Sequence, residues 1–421
     1  MLARLGGAAL SFALQLILAR VMPQTEFGML VVVMSWLALG GALACLSMPL
    51  VTMRFVAEHL GRGELGAARG VVRFALGIAL AGSAAVALLA LAVAHAGWVP
   101  LGALSPQAFQ LAAALLCSST LLLVLSSWLQ GLHRVVTAEL LGNVLRTLVV
   151  IVLVGAWVRR NAAPMQAETA VGLHLLATLL TLALLAFWAH RSVPIGWADA
   201  EPVHHTGRWR KAAMGFQGVM LLAAVSERVD VLAMTWSGTP EQVAEYSVAT
   251  RFSQSVVMAL VAVYVTLGPR VGAHMDELEQ RNFARIAPLV AQISRLAFIM
   301  ASGAAILFAV AGPWLLKLFG TGYAGAWTPL VILGAGLAVA AAFGPAMAVA
   351  TIAGTSRVAL AGLSSGVVCN VSLNLWLVPH WGTSGAAVAT ATAVVFSAVV
   401  SWRWTYRMLG LDTSIWGRHR A

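Results

Sequence analysis

Apolar runs of about 20 residues recur from one end of this chain to the other. A run of that length, coiled at 1.5 Å per residue, matches a bilayer core roughly 30 Å thick. Lipid offers no partner to backbone N–H and C=O groups, so each run must close its hydrogen bonds within itself, as a helix. Composition agrees: 60% of the residues are hydrophobic and only 10% charged, with mean hydropathy +0.88. Soluble domains carry about a quarter charged residues. The expected fold class is therefore all-α: a polytopic membrane protein of about twelve transmembrane helices. These helices fall near 5–21, 27–52, 71–95, 107–130, 137–158, 168–190, 212–236, 246–268, 293–316, 326–352, 357–379 and 384–408.

The net charge of +11 would suit a nucleic-acid binder if it were gathered on one polar domain. Instead the basic residues sit singly or in small groups between apolar runs, so no nucleic acid is expected as a partner. Placing both termini and the even-numbered loops on one side collects nineteen Lys and Arg there. Arg20, Arg159, Arg160 and Lys317 are the four left opposite. That bias orients a multi-pass bacterial inner-membrane protein with both termini in the cytoplasm. Cys45, Cys117 and Cys369 all fall inside spans and read as small buried thiols.

The longest polar stretch, 191–211, reads as a cytoplasmic linker between six-helix bundles at 1–190 and 212–421. The halves echo each other. Pro23 to Gly28 opens the second helix much as Pro240 to Tyr246 opens the eighth, and Pro49 is matched by Pro269. A charged amphipathic loop follows in each half, Arg54 to Arg73 and Arg270 to Arg295. Two pseudo-symmetric bundles of this kind are a recurring transporter design.

Several blocks carry a resemblance. They are Ala19-Arg20-Val21-Met22-Pro23-Gln24-Thr25-Glu26-Phe27-Gly28, Leu129-Gln130-Gly131-Leu132-His133-Arg134, and Leu145-Arg146. Further on come Arg228-Val229-Asp230, Val243 to Arg251, Leu318 to Tyr323 and Asn374 to Gly385. In this order they resemble the polysaccharide transporter family, from the superfamily that also holds multidrug exporters and the lipid II flippase. The resemblance implies a flippase that moves an undecaprenyl-pyrophosphate-linked oligosaccharide across the inner membrane, for O-antigen, capsule or exopolysaccharide synthesis. It implies alternating access of the two bundles, a lipid-linked oligosaccharide as partner within the bilayer, H+ or Na+ as a coupling ion, and other polysaccharide assembly proteins nearby. An ion-coupled exporter of drugs or other small molecules shares the twelve-helix plan and stays open as the alternative. A membrane enzyme of glycan assembly would carry a large polar outer loop, and every outer loop here is short. The sequence holds no catalytic constellation and no nucleotide-binding glycine loop, and calls for no cofactor or metal.

Charges inside spans are costly and mark candidate sites. Arg146, near the middle of the fifth span, has a planar fork suited to phosphate oxygens; an arginine bonded to carbonyls or to Glu139 is the plainer reading. Glu227, Arg228 and Asp230 cluster in the seventh span and Arg251 lies in the eighth. An ion pair of Glu227 or Asp230 with Arg251 would be structural, whereas a carboxylate taking up a proton or sodium ion would drive transport. Arg20 could snorkel to headgroups or line a cavity. Arg54, at the inner mouth of the second helix, is an orientation charge or an attractor for an anionic headgroup. Gln15, Gln217, Ser253, Gln254, Asn370 and Asn374 read as interhelical hydrogen-bonding groups or sugar contacts. Asn370 and Asn374 share one helix face.

Overall fold

The computed structural model describes residues 2–95, 106–268 and 286–417, and all regular structure among them is helical. The chain gathers into two compact units, Met1–Ala224 and Val225–Ala421. The first holds α1 (Leu2–Val21), α2 (Gln24–Cys45), α3 (Met48–Gly61), α4 (Leu65–His95) and α5 (Pro106–Gly131). It continues through α6 (Val135–Glu139), a π turn (Leu140–Leu145), α7 (Arg146–Arg160) and α8 (Ala167–Ser192) into the first part of α9 (Thr206–Ser237). The second unit takes the end of α9, then α10 (Pro240–Val265) and α11 (Ile286–Lys317). A 3-10 turn (Thr321–Ala326) leads to α12 (Trp327–Ala341), α13 (Ala346–Ile352) and α14 (Ser356–Leu409).

Among the described residues, nine helices are long and apolar enough to cross a membrane. One of them is α14, which breaks at Gly382, where φ is 53°. The two halves of α14 fold back on each other, so that Ser397 Oγ donates to the Gly362 carbonyl at 2.8 Å. The expected separate spans at 357–379 and 384–408 are these halves. Helix α9 is not among the nine because Arg208, Arg210, Lys211, Glu227, Arg228 and Asp230 all lie in it. Large apolar side chains face outward on the spans: Leu88, Val152, Ile299 and Val310 are 65–67% exposed. Such a surface is stable against hydrocarbon and unstable against water. The chain is a multi-pass membrane protein.

Two helices expected to be continuous are broken, and each break is repaired by side chains or backbone from elsewhere. Between α2 and α3, Leu46 and Ser47 adopt left-handed φ values of 44° and 56°. Pro49, in the first turn of α3, has no N–H to give the preceding turn. Gln217 of α9 takes over: its Nε2 donates to the Ala42 carbonyl at 3.0 Å while its Oε1 accepts from Ser47 Oγ at 2.8 Å. Gly82 lets α4 lie directly against the Ala44 carbonyl. Between α12 and α13, Gly344 takes φ 72° and Pro345 follows. Here the segment after α14 returns: Ile415 N–H donates to the Ala342 carbonyl at 3.0 Å and Thr413 Oγ1 to the Phe343 carbonyl at 2.9 Å.

The charged stretch from Arg54 to Arg73 is helical rather than a loop, forming the end of α3 and the first turns of α4. Of its expected counterpart, Arg270 to Arg295, the part up to Arg285 lies outside the described residues, as does Pro269, and 286–295 are the first turns of α11. The polar stretch 191–211 is no loose tether. Trp197 and Trp209 are buried in one apolar cluster with Phe55, Val71 and Val124. Arg69 Nη1 donates to the carbonyls of Ala198 and Ala200 at 2.6 and 2.8 Å, and Val203 N–H to the Gly66 carbonyl at 3.0 Å. Gly66 and Gly70 permit that approach, because a Cβ on either would collide with the backbone of Glu201 or Val203.

Candidate functional site

In the first unit the site is built around Arg146. The π turn Leu140–Leu145 immediately precedes it, and such single-turn widenings occur frequently at functional sites. Glu139 Oε2 accepts from Asn143 Nδ2 at 2.7 Å, and the Asn143 carbonyl accepts from Thr147 Oγ1 at 2.8 Å. The guanidinium of Arg146 is half-buried and has no hydrogen bond or ion pair among the described residues. Its electrostatic neighbour is His174 of α8. Sequence reasoning did not single out His174, although it is a lone imidazole inside an apolar span. Gln15 of α1 keeps a buried Oε1 without a partner among the described residues.

Arg20 and Arg54 are not part of this arrangement. Arg20 is exposed in the last turn of α1, where a cation complements the helix dipole. Arg54 is exposed on α3, its guanidinium 5.6 Å from the Phe55 ring centre. The acidic residue of the Arg20-to-Gly28 block has a structural role. Glu26 Oε2 accepts from the Ala167 N–H at 2.7 Å and caps the start of α8.

In the second unit Asp230 is 6% exposed. Its Oδ1 accepts from the Val231 N–H at 2.8 Å and its Oδ2 from the Tyr246 hydroxyl at 2.5 Å. Tyr246, wholly buried, reaches Thr390 Oγ1 at 3.1 Å. Thr390 lies 3.5 Å from Asn370 Oδ1, which also accepts from Asn374 Nδ2 at 2.6 Å. One polar group from α9, one from α10 and one or two from each half of α14 thus form a continuous buried chain. Buried polar groups are stable only when partnered in this way.

The expected ion pair of Glu227 or Asp230 with Arg251 is not made among the described residues. Asp230 turns to Tyr246, and Glu227 is exposed. Arg251 Nη1 donates to Gln254 Oε1 at 3.1 Å, and its charged neighbour is another cation, Arg228. Arg228 is half-buried, with Nε enclosed and unpartnered. The structure therefore makes Arg228 an electrostatic neighbour of both Arg251 and Asp230, and bonds Asp230 to a tyrosine where a pair with Arg251 was expected.

No family model matches the sequence, and no curated protein is significantly similar to it. The fold is shared with solved membrane transporters. A multidrug resistance MATE family transporter of the MOP superfamily superposes with TM-score 0.73 at 17% identity, over 96% of this chain and 94% of that one. The lipid II flippase MurJ gives 0.72 at 12% identity, over 96% and 86%. A MOP superfamily transporter from Pyrococcus furiosus gives 0.62 at 16% identity, over 97% and 94%. At these identities the likeness is one of fold.

Proposed function

We propose that this chain is a flippase for an undecaprenyl-pyrophosphate-linked oligosaccharide, working by alternating access. The observation that carries the proposal is the set of half-buried guanidiniums that form no ion pair with a carboxylate among the described residues: Arg146 in one unit, and Arg228 and Arg251 in the other, where Arg228 still acts electrostatically on Asp230. A pyrophosphate headgroup moving through hydrocarbon needs such cations, and the proteins of similar fold include a lipid II flippase. Asp230 would hold the coupling proton or sodium ion, since a buried carboxylate bonded by one hydroxyl and one amide has room in its valence for either.

A second reading, ion-coupled export of drugs or other small molecules, is favoured by the same buried Asp230 and by the multidrug transporter of similar fold. Reconstituted vesicles separate the two. A fluorescent pyrophosphate-linked lipid sugar and a cationic dye are followed in parallel for wild type, Arg146→Ala and Arg228→Ala/Arg251→Ala. A flippase moves the lipid and loses that movement in folded arginine variants. Movement of the dye alone, driven by an ion gradient and unaffected by the arginine variants, would establish the exporter instead.

A further inference from the structure

Beyond the apolar part of the first unit, the turn joining α3 to α4 and the start of α9 enclose a polar cavity of about 350 Å³. His59, Arg62, Glu64, His204, His205 and Arg208 line it, with Thr206 and Gly207 opening the 32-residue helix α9. Charges are already shared within the wall. Glu58 Oε1 accepts from Arg208 Nη2 at 2.7 Å and from Arg62 Nη2 at 2.9 Å. The Arg208 hydrogen bond holds the Glu58 carboxyl below the usual carboxylate range. Glu64 Oε2 lies 2.6 Å from His59 Nδ1, and that bond holds Glu64 low as well.

His59 is the residue that ordinary packing does not explain. It is 1% exposed, and its Nε2 has no hydrogen-bond partner among the described residues. With Nδ1 engaged by Glu64, a proton added to the ring would appear on Nε2 as a buried donor. The ring of His205 stacks 6.0 Å away, and Trp209 sits edge-on to both. Among the described residues no group of three His, Cys, Asp or Glu is arranged to hold a metal ion. Two arginines, three imidazoles and the Thr206 and Gly207 N–H groups, which have no partner among the described residues, converge on one pocket, against two carboxylates that each already accept from a cation or an imidazole.

We propose that this pocket is a binding site for a phosphate group, built from residues other than Arg146, Arg228 and Arg251. Arg62, Arg208 and the Thr206 and Gly207 amides hold the oxygens, with the rings of His59, His204 and His205 beside them. The phosphate could belong to a soluble ion or to a lipid headgroup; the chemistry recognised is the same.

The test uses the full chain and does not involve transport. In one arm, inorganic phosphate is titrated calorimetrically into detergent-solubilised protein. In the other, short-chain phosphatidic acid is titrated in the same way, with short-chain phosphatidylcholine as its control. Saturable binding is expected in at least one arm, about tenfold weaker in His59→Gln. Because His59 is buried, the exposed double variant His205→Gln/Arg62→Gln serves beside it and should weaken binding as much. Binding in the first arm alone assigns a soluble anion, and in the second alone a lipid. No saturable binding in either arm, or affinities unchanged in both variants, overturns the proposal.

Discussion

Asp230 and Tyr246 are the best place to measure how much the buried polar chain contributes. Tyr246→Phe removes one oxygen and nothing else from a wholly buried position, so no cavity of consequence forms. It deprives Asp230 Oδ2 of its 2.5 Å donor. A hydrogen bond to a charged group contributes about 1.5–3 kcal/mol net, and the carboxylate left behind is buried. For a unit the size of Val225–Ala421, 1 kcal/mol moves Tm by about 2–4 °C. Asp230→Ala breaks the same bond from the other side. If the pair is coupled as the geometry says, the two single losses together exceed that of the double variant by about 1.5–3 kcal/mol, or roughly 3–12 °C. The assay is thermal unfolding of the three variants in detergent, followed by intrinsic fluorescence. Losses that add to within about 0.5 kcal/mol, as for independent sites, would refute the coupling.

Gly344→Ala should be far costlier than Gly354→Ala, although the two glycines share φ near 72°. Only at Gly344 would the Cβ run into the Thr413 carbonyl, so a shared strain of about 1–2 kcal/mol is joined there by a clash. Equal Tm losses would show that the returning segment does not press on the helix break. Gln217→Ala should destabilise by about 1–3 kcal/mol, because the Ala42 carbonyl and Ser47 hydroxyl lose their shared partner; thermal unfolding reads this directly. Glu58, held low by Arg208 and Arg62, ties α3 to α9 at all pH values above the ordinary carboxylate range. That contribution disappears only as pH falls through its lowered value, so proteolysis within 193–205 should be unchanged down to about pH 5 and rise in stronger acid. A rise already at neutral pH would contradict the assignment.

The spans were legible because bilayer thickness sets helix length, a constraint that acts on composition alone. The breaks were not. Leu46 and Ser47 are no one's choice for left-handed backbone, and only Pro49 and Pro345 hint at trouble nearby. Asn370 and Asn374 were readable as sharing one face and were expected to bond between helices or to sugars; their side chains also meet each other at 2.6 Å, one turn apart. Asp230 was readable as buried but not as the partner of Tyr246. Reasoning from opposite charges favoured Arg251, whereas a tyrosine 16 positions away gives the carboxylate a donor without burying a second charge. Arg228 acts electrostatically on Arg251 as well as on Asp230, a placement that pairing opposite charges does not anticipate. The hold on 193–205 was hidden because it is made from outside the stretch, by the Arg69 guanidinium and the Gly66 carbonyl on its backbone groups, and by the burial of Trp197.

The buried chain from α9 to α14 has a direction, set by which atoms can only accept. While Asp230 is ionised, the Tyr246 hydrogen must point at it, and the single hydrogen of Thr390 is divided between Tyr246 at 3.1 Å and Asn370 at 3.5 Å. A proton arriving on Asp230 turns that carboxyl into a donor. With that hydrogen on Oδ2, Tyr246 can turn its own to Thr390 and Thr390 its own to Asn370. The bonds from α9 to α14 could then reverse direction with no change in which residues touch, by the rotation of two hydroxyls alone.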